Sequence, residues 1–117
     1  MNEAVPSVTK EDVLRFITEK SATVIDILGE DSYRKAHIRG AKSVPLDVLE
    51  NEYWRKIPKN EKIVIYCKSY SCNASRNATL FLRSKGIDAY AYEGGISEWL
   101  MSGMPSDGYL VGRENSI

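Results

Sequence analysis

Helical and strand patterns take turns along this chain, and that alternation predicts an α/β layer fold with a mainly parallel sheet. A second observation agrees. The apolar run Ile63-Val64-Ile65-Tyr66 ends in Cys67 and passes into a polar loop that opens a helix, the strand-turn-helix step from which parallel sheets are built. The third is size, since 117 residues suit one domain around one core.

Taken in order, Thr9 and Asp12 make a capping-box-like start to a helix that carries Val13, Phe16 and Ile17 on one face. Val24 to Leu28 reads as a buried strand. Gly29 to Arg39 is polar and turn-rich, and Gly40 to Pro45 reads as a tight turn into a very short strand. A helix is expected from about Leu46 to Lys56, then a loop at Pro58-Lys59-Asn60, then the central strand Lys62 to Tyr66. Ala74 to Lys85 reads as a helix with Ala74, Ala78, Phe81 and Leu82 inward, closed by Gly86. Ile87 to Tyr92 gives another strand and Ile96 to Met101 a short last helix, and an extended polar tail begins at Pro105. There is no repeat, no low-complexity tract and no sign of a second domain.

Charge narrows the function classes. Sixteen basic residues balance sixteen acidic ones, so nothing asks for nucleic acid or a membrane surface as partner. The start Met1-Asn2-Glu3-Ala4-Val5-Pro6 lacks the basic and apolar regions of a signal peptide, and no run of about eighteen apolar residues occurs. The expected location is the cytoplasm. Two cysteines five positions apart in a reducing compartment read as reactive or redox-active thiols rather than as a structural staple.

The loop from Cys67 to Arg76 supports that reading. A strand, a turn and a helix N-terminus together aim backbone N–H groups and the positive end of a helix dipole at whatever fills the turn. A cysteine there ionises near neutral pH. The bland alternative has Cys67 finishing a buried strand and Cys72 idle in the loop.

Several segments together resemble the single-domain rhodaneses, a sulfurtransferase family. They are Val24-Ile25-Asp26, Ala36-His37-Ile38-Arg39-Gly40-Ala41, the strand Ile63 to Tyr66 leading to Cys67, and Glu93-Gly94-Gly95-Ile96-Ser97-Glu98-Trp99. The resemblance runs from about Thr9 to Asp107. It implies a three-layer rhodanese fold with a mainly parallel central sheet flanked by helices. The corresponding organisation is an N-terminal extension over 1–8, a rhodanese domain over 9–107 and a C-terminal tail over 108–117. Two departures stand out: Leu28 replaces the Arg that many members carry after the aspartate, and the loop is about two residues longer, similar to a subgroup with a Cys-x4-Cys-Asn pattern.

The activity that the resemblance implies is transfer of sulfane sulfur through a cysteine persulfide. A small anionic donor such as thiosulfate supplies the sulfur, and cyanide, a thiol or a protein thiol accepts it. No metal and no other cofactor is implied. Position at the strand end makes Cys67 the expected sulfur acceptor, against the competing argument that Cys72 lies nearer the helix N-terminus. The N–H groups from Lys68 to Ala74 would cradle the persulfide, with side-chain donors from Ser69, Ser71, Asn73 and Ser75. Lys68 and Arg76 would attract the donor or are simply solvated surface charges, and Tyr70 would form a wall.

The resemblance makes His37, the only histidine, structural; Asp26 reads as a strand-closing carboxylate bonded to the next turn, and Trp99 as core. Gly94 and Gly95 would let the last helix approach the loop closely. Two rival readings belong to other classes. The fold also resembles that of dual-specificity phosphatases and arsenate reductases, whose nucleophile is followed by five residues and an Arg. Counting from Cys67 lands on Asn73 and from Cys72 on Ala78, so that spacing fails. The other rival is a non-catalytic or redox-sensing module in which Cys67 and Cys72 close a reversible disulfide.

Overall fold

The structure is a computed structural model that describes residues 4–111. Residues 1–3 of the expected N-terminal extension and 112–117 of the expected tail lie outside the described residues. Helix α1 (Lys10–Glu19) starts at a complete capping box, in which Thr9 Oγ1 accepts from the Asp12 amide and the Asp12 carboxylate accepts from the Thr9 amide. It is followed by β1 (Thr23–Asp26), α2 (Glu30–Lys35), β2 (His37–Ile38), β3 (Lys42–Ser43) and α3 (Leu46–Asn51). A 3-10 turn (Tyr53–Lys56), β4 (Lys62–Tyr66), α4 (Ala74–Ser84), β5 (Asp88–Tyr92), α5 (Gly95–Met101) and β6 (Ser106–Asp107) follow within the described residues.

The main sheet has the order β3-β1-β4-β5, and every pairing in it is parallel. Strand β4 is central because its residues 63–66 are apolar and buried, as a strand covered on both faces must be. Side-chain alternation divides the core in two. Ile63, Ile65 and Cys67 point to the side packed by α3 and α4, with Leu49, Ala78 and Leu82. Val64 and Tyr66 point to the side packed by α1 and α5, with Val13, Phe16, Ile96 and Trp99. These are the three layers expected from the sequence. Trp99 is fully buried, stands edge-on to Tyr92 at 6.0 Å and donates its indole N–H to Pro105 O at 2.8 Å, as the core reading anticipates.

Four boundaries differ from the sequence reading, each for a local reason. The segment after Gly29 contains α2, which buries no residue and so shows no apolar period to detect. The helix expected to run to Lys56 breaks at Glu52, and the following 3-10 turn brings Trp54 edge-on to Phe81 at 6.1 Å. Leu28 lies beyond β1, which ends at Asp26. The segment after Pro105 is extended but not free, since β6 pairs antiparallel with β2. The amides of Tyr109 and Leu110 then donate to the carbonyls of Arg34 and Lys35, both at 3.0 Å. At the end of α4, Gly86 takes φ +82°, and the Ile87 amide bonds back to Leu82 O, the left-handed closure expected there.

A buried polar network sits one residue before the loop. Asp26 is fully buried; its Oδ1 accepts from the Leu28 amide at 2.9 Å and its Oδ2 from the Tyr66 hydroxyl at 2.6 Å. The Tyr66 oxygen accepts in turn from the Ile38 amide at 3.1 Å. Burial pushes the Asp26 carboxyl above its ordinary value, although both hydrogen bonds pull the other way. A carboxyl raised in the folded state stabilises the fold fully below its unfolded value, and that contribution is lost as pH rises through the folded value. Asp26→Asn is therefore expected to flatten this component. Urea unfolding should show the wild type gaining stability relative to the variant as pH falls from neutral toward the ordinary carboxyl value of about 4, and parallel curves across that range would contradict the assignment.

Candidate active site

The loop after β4 is held at both ends. At its start, the first amides of α5 reach the strand-end carbonyls: Ile96 N–H donates to Cys67 O at 3.0 Å and Ser97 N–H to Lys68 O at 2.9 Å. That approach requires Gly95. Its φ is +66°, and a Cβ there would lie 2.6 Å from Cys67 O and from the Lys68 carbonyl carbon. Of the anticipated glycine pair, Gly95 sets the contact between the last helix and the loop, whereas Gly94 faces Glu98. At its far end the loop becomes the first turn of α4.

Between these ends the chain makes a turn closed by Cys72 N–H to Ser69 O at 3.0 Å, with the Ser69 and Ser71 hydroxyls 3.0 Å apart. The turn folds Cys72 back over the strand end. Cys67 Sγ donates to Cys72 O at 3.6 Å, which brings the two thiols close enough to act on each other's ionisation. Both are free thiols.

Their environments differ. Cys67 is 1% exposed, packed with Ile65, Ala78 and Leu82. Burial and the bond to Cys72 push its thiol up, only partly offset by the hydroxyl and amide of Ser75. Cys72 is half-buried at the loop surface. Burial pushes its thiol up as well, but the Cys67 thiol and the amides of Ala74, Lys68 and Ser75 outweigh it, and the net shift is downward. The reason lies in the start of α4. Asn73 occupies the N-cap and makes no side-chain cap bond, so the first amides of an 11-residue helix are left to another acceptor. The Cys72 sulfur takes that place, at the positive end of the helix dipole.

The remaining residues anticipated at the site are spread around this centre. Ser75 is 1% exposed, and its hydroxyl has no conventional hydrogen-bond partner. Ala74 packs against the core, and Lys68, Ser71 and Asn73 are exposed. Arg76 faces Glu93, with Nε 4.0 Å from the carboxylate. Tyr70 is 65% exposed and donates its hydroxyl to Glu98 at 3.2 Å.

Glu93 and Glu98 were not anticipated from the sequence. Glu98 also accepts from the Tyr92 hydroxyl at 2.6 Å and lies 3.9 Å from Lys10 Nζ. With Tyr70 they line a cavity of about 350 Å³ whose other wall is the segment Ser7 to Glu11. Their position inside the Glu-Gly-Gly-Ile-Ser-Glu-Trp segment was the available signal, since that segment had to touch the loop.

His37 and Asp26 stand apart from the thiols in their contacts. The His37 ring stacks on Tyr33 at 3.7 Å, with Nδ1 2.7 Å from Tyr33 O. Asp26 serves the turn at Leu28 and the Tyr66 hydroxyl.

The model of the rhodanese-like domain matches residues 9–102. The chain belongs to the rhodanese-like family. Among curated proteins it resembles thiosulfate sulfurtransferase GlpE of Pseudomonas fluorescens, 29% identical over 84 residues that make up 71% of this chain and 74% of that protein. Among solved structures, a Bacillus halodurans protein superposes with a TM-score of 0.82 at 22% identity, covering 90% of this chain and 78% of that one. The rhodanese-like domain of an Anabaena protein superposes with a TM-score of 0.79 at 22% identity, covering 94% and 84%. At that identity the two structures speak for the fold. The described residues contain no helix long and apolar enough to cross a membrane.

Proposed function

We propose that this rhodanese-like chain is a sulfurtransferase, with its working domain over 9–107, and that Cys72 is the thiol that takes up sulfane sulfur. The observation that carries the choice is the set of amides of Lys68, Ala74 and Ser75 on the Cys72 sulfur, at the surface, while Cys67 is 1% exposed. Position at the strand end argued for Cys67; exposure and charge stabilisation argue for Cys72. The spacing of the two cysteines is that of the Cys-x4-Cys-Asn subgroup, to which we assign the chain. The similarity to a thiosulfate sulfurtransferase supports thiosulfate as donor.

In this reading the Cys72 thiolate attacks the outer sulfur of the donor. For thiosulfate, a sulfur–sulfur bond forms on Cys72, the donor's own sulfur–sulfur bond breaks, and sulfite leaves with the electron pair. The terminal sulfur of the persulfide bears the negative charge, and the amides that held the thiolate hold it. A thiolate or cyanide then removes that sulfur and restores Cys72. The test is intact mass after thiosulfate treatment in the absence of other thiols. Cys72→Ser should gain nothing and lose thiosulfate:cyanide transfer, whereas Cys67→Ser should still gain one sulfur. The reverse pattern moves the acceptor to Cys67. A chain that takes no sulfur but loses two hydrogens under mild oxidant is the redox-sensing module instead.

Lys68 and Arg76 are assigned to donor attraction, since the donor is a dianion and the chain is neutral overall. Lys68→Ala and Arg76→Ala are expected to raise KM for thiosulfate with little change in kcat. The effect should shrink above about 0.1 M salt, where screening acts over ~10 Å. Arg76 should give the smaller effect because Glu93 already faces it. Equal KM values at low ionic strength in wild type and both variants would make these residues plain surface charges.

A further inference from the structure

Cys67 has no part in sulfur uptake as described, yet its placement is specific. It is 1% exposed within the core cluster against which Cys72 packs, and its Sγ lies 3.6 Å from the Cys72 carbonyl oxygen. No dissolved donor or acceptor reaches Cys67. A sulfur bound on Cys72 brings a reactive bond to it.

We propose that Cys67 discharges the Cys72 persulfide within the chain, releasing hydrosulfide and closing a Cys67–Cys72 disulfide, so that the protein reduces sulfane sulfur to sulfide. The inference rests on the assignment of the persulfide to Cys72. Cys67 Sγ attacks the inner sulfur of the persulfide, which is Sγ of the residue whose carbonyl it already contacts. The bond between Cys67 and Cys72 sulfurs forms, and the bond to the outer sulfur breaks. The outer sulfur leaves with the bonding pair, and the Cys67 proton goes to it. The balance is Cys72–S–S⁻ plus Cys67–SH giving the disulfide plus HS⁻. In this step the Cys67 sulfur is oxidised and the outer sulfur reduced; counted from the two free thiols before uptake, both thiols are oxidised to the disulfide and one sulfane sulfur is reduced to sulfide. A dithiol then reduces the disulfide by exchange and returns both thiols.

Three features of the site suit this step. Cys67 Sγ lies 3.6 Å from a backbone atom of Cys72 itself, so the attack is unimolecular and needs no encounter. The Cys67 thiol, raised by burial, carries a proton that can pass to the outer sulfur of the adjacent persulfide, which leaves Cys67 as the thiolate that attacks and the outer sulfur ready to depart as hydrosulfide. The turn closed by Cys72 N–H to Ser69 O is short and lies at the surface, so it can adjust when the sulfurs join. The same contact explains why a second cysteine stands in the loop. A transferase that hands its sulfur to an outside acceptor needs one thiol; discharge inside the chain needs two.

The test is a single turnover without added thiol. The protein is loaded with thiosulfate, desalted, and followed by intact mass and by hydrosulfide assay. The wild type should lose its persulfide mass, end two hydrogens below the starting protein and release one hydrosulfide per chain at a rate independent of protein concentration. Cys67→Ser should keep its added sulfur and release none, and Cys67→Ala should do the same. With dithiothreitol present, the wild type should then form hydrosulfide and sulfite from thiosulfate repeatedly. A wild-type persulfide as long-lived as that of Cys67→Ser would overturn the inference while leaving Cys72 as the sulfur acceptor. Release whose rate rises with protein concentration would also overturn it, by placing the attack between chains. Failure of every variant to gain a sulfur would remove both this inference and the assignment beneath it.

Discussion

Gly95→Ala is expected to cost the protein about 3 kcal/mol or more and to abolish sulfur uptake in whatever fraction still folds. Two penalties coincide at this residue. The φ of +66° is a left-handed conformation that costs a residue with a side chain about 1–2 kcal/mol. The added Cβ would stand 2.6 Å from Cys67 O and 2.7 Å from Lys68 O, and both belong to backbone that cannot swing aside. Relief requires α5 to withdraw, which breaks the Ile96 and Ser97 amide bonds to the loop. Gly94 makes the informative contrast, because its φ is ordinary and the nearest atoms a Cβ there would meet belong to the Glu98 side chain, whose carboxylate can swing away although its Cβ, at 2.9 Å, gives only with the helix. Gly94→Ala should therefore be milder in stability, its main effect falling on the hydrogen bonds of Glu98 to Tyr70 and Tyr92. Urea unfolding of both variants with mass analysis after thiosulfate checks this. A Gly95→Ala protein within about 0.5 kcal/mol of wild type would show that α5 does not clamp the loop.

What the sequence made legible follows from how each signal arises. Strand β4 was readable to the residue because a strand covered on both faces must be apolar throughout, and Lys62 and the loop mark its ends. Helix α1 was readable because its capping box is local chemistry between Thr9 and Asp12. Helix α2 was not, since it buries nothing and so leaves no period. The break at Glu52 serves contacts of Trp54 with Phe81, more than twenty residues away in sequence, and no local rule encodes it.

The loop was legible as a reactive site, but the ranking of its two cysteines was not. Two facts decide it, and the sequence carried only the first. Alternation along β4 places residue 67 on the same side as Ile63 and Ile65, hence under α4. Asn73 has a side chain suited to capping α4 that instead leaves the first amides to the neighbouring sulfur. Only the folded chain shows that second fact, because it depends on the turn from Ser69 to Cys72. Glu93 and Glu98 were hidden for the same reason: their meeting with Tyr70 is set by how α5 docks on the loop.

The two thiols should differ sharply toward an alkylating agent, and the difference should depend on pH in a defined direction. Only thiolate reacts, so the rate at Cys72 rises with pH and levels off around its midpoint. Burial would push that midpoint up, but the Cys67 thiol and the amides of Ala74, Lys68 and Ser75 bring it below that of an ordinary cysteine. Cys67 is shielded at 1% exposure and shifted the opposite way, so it reacts only through local opening. An opening free energy of about 3 kcal/mol alone slows it by roughly a hundredfold. Iodoacetamide at neutral pH should therefore give a single modification, which peptide mapping places on Cys72. The two replacements of Cys67 then separate the causes. Cys67→Ala removes a hydrogen-bond donor to the Cys72 thiolate and should move the Cys72 midpoint upward, whereas Cys67→Ser keeps a donor and should move it less. If Cys67 alkylates first, or if Cys67→Ala leaves the Cys72 midpoint where it was, the thiol pair does not tune Cys72, and the helix amides alone must account for its acidity.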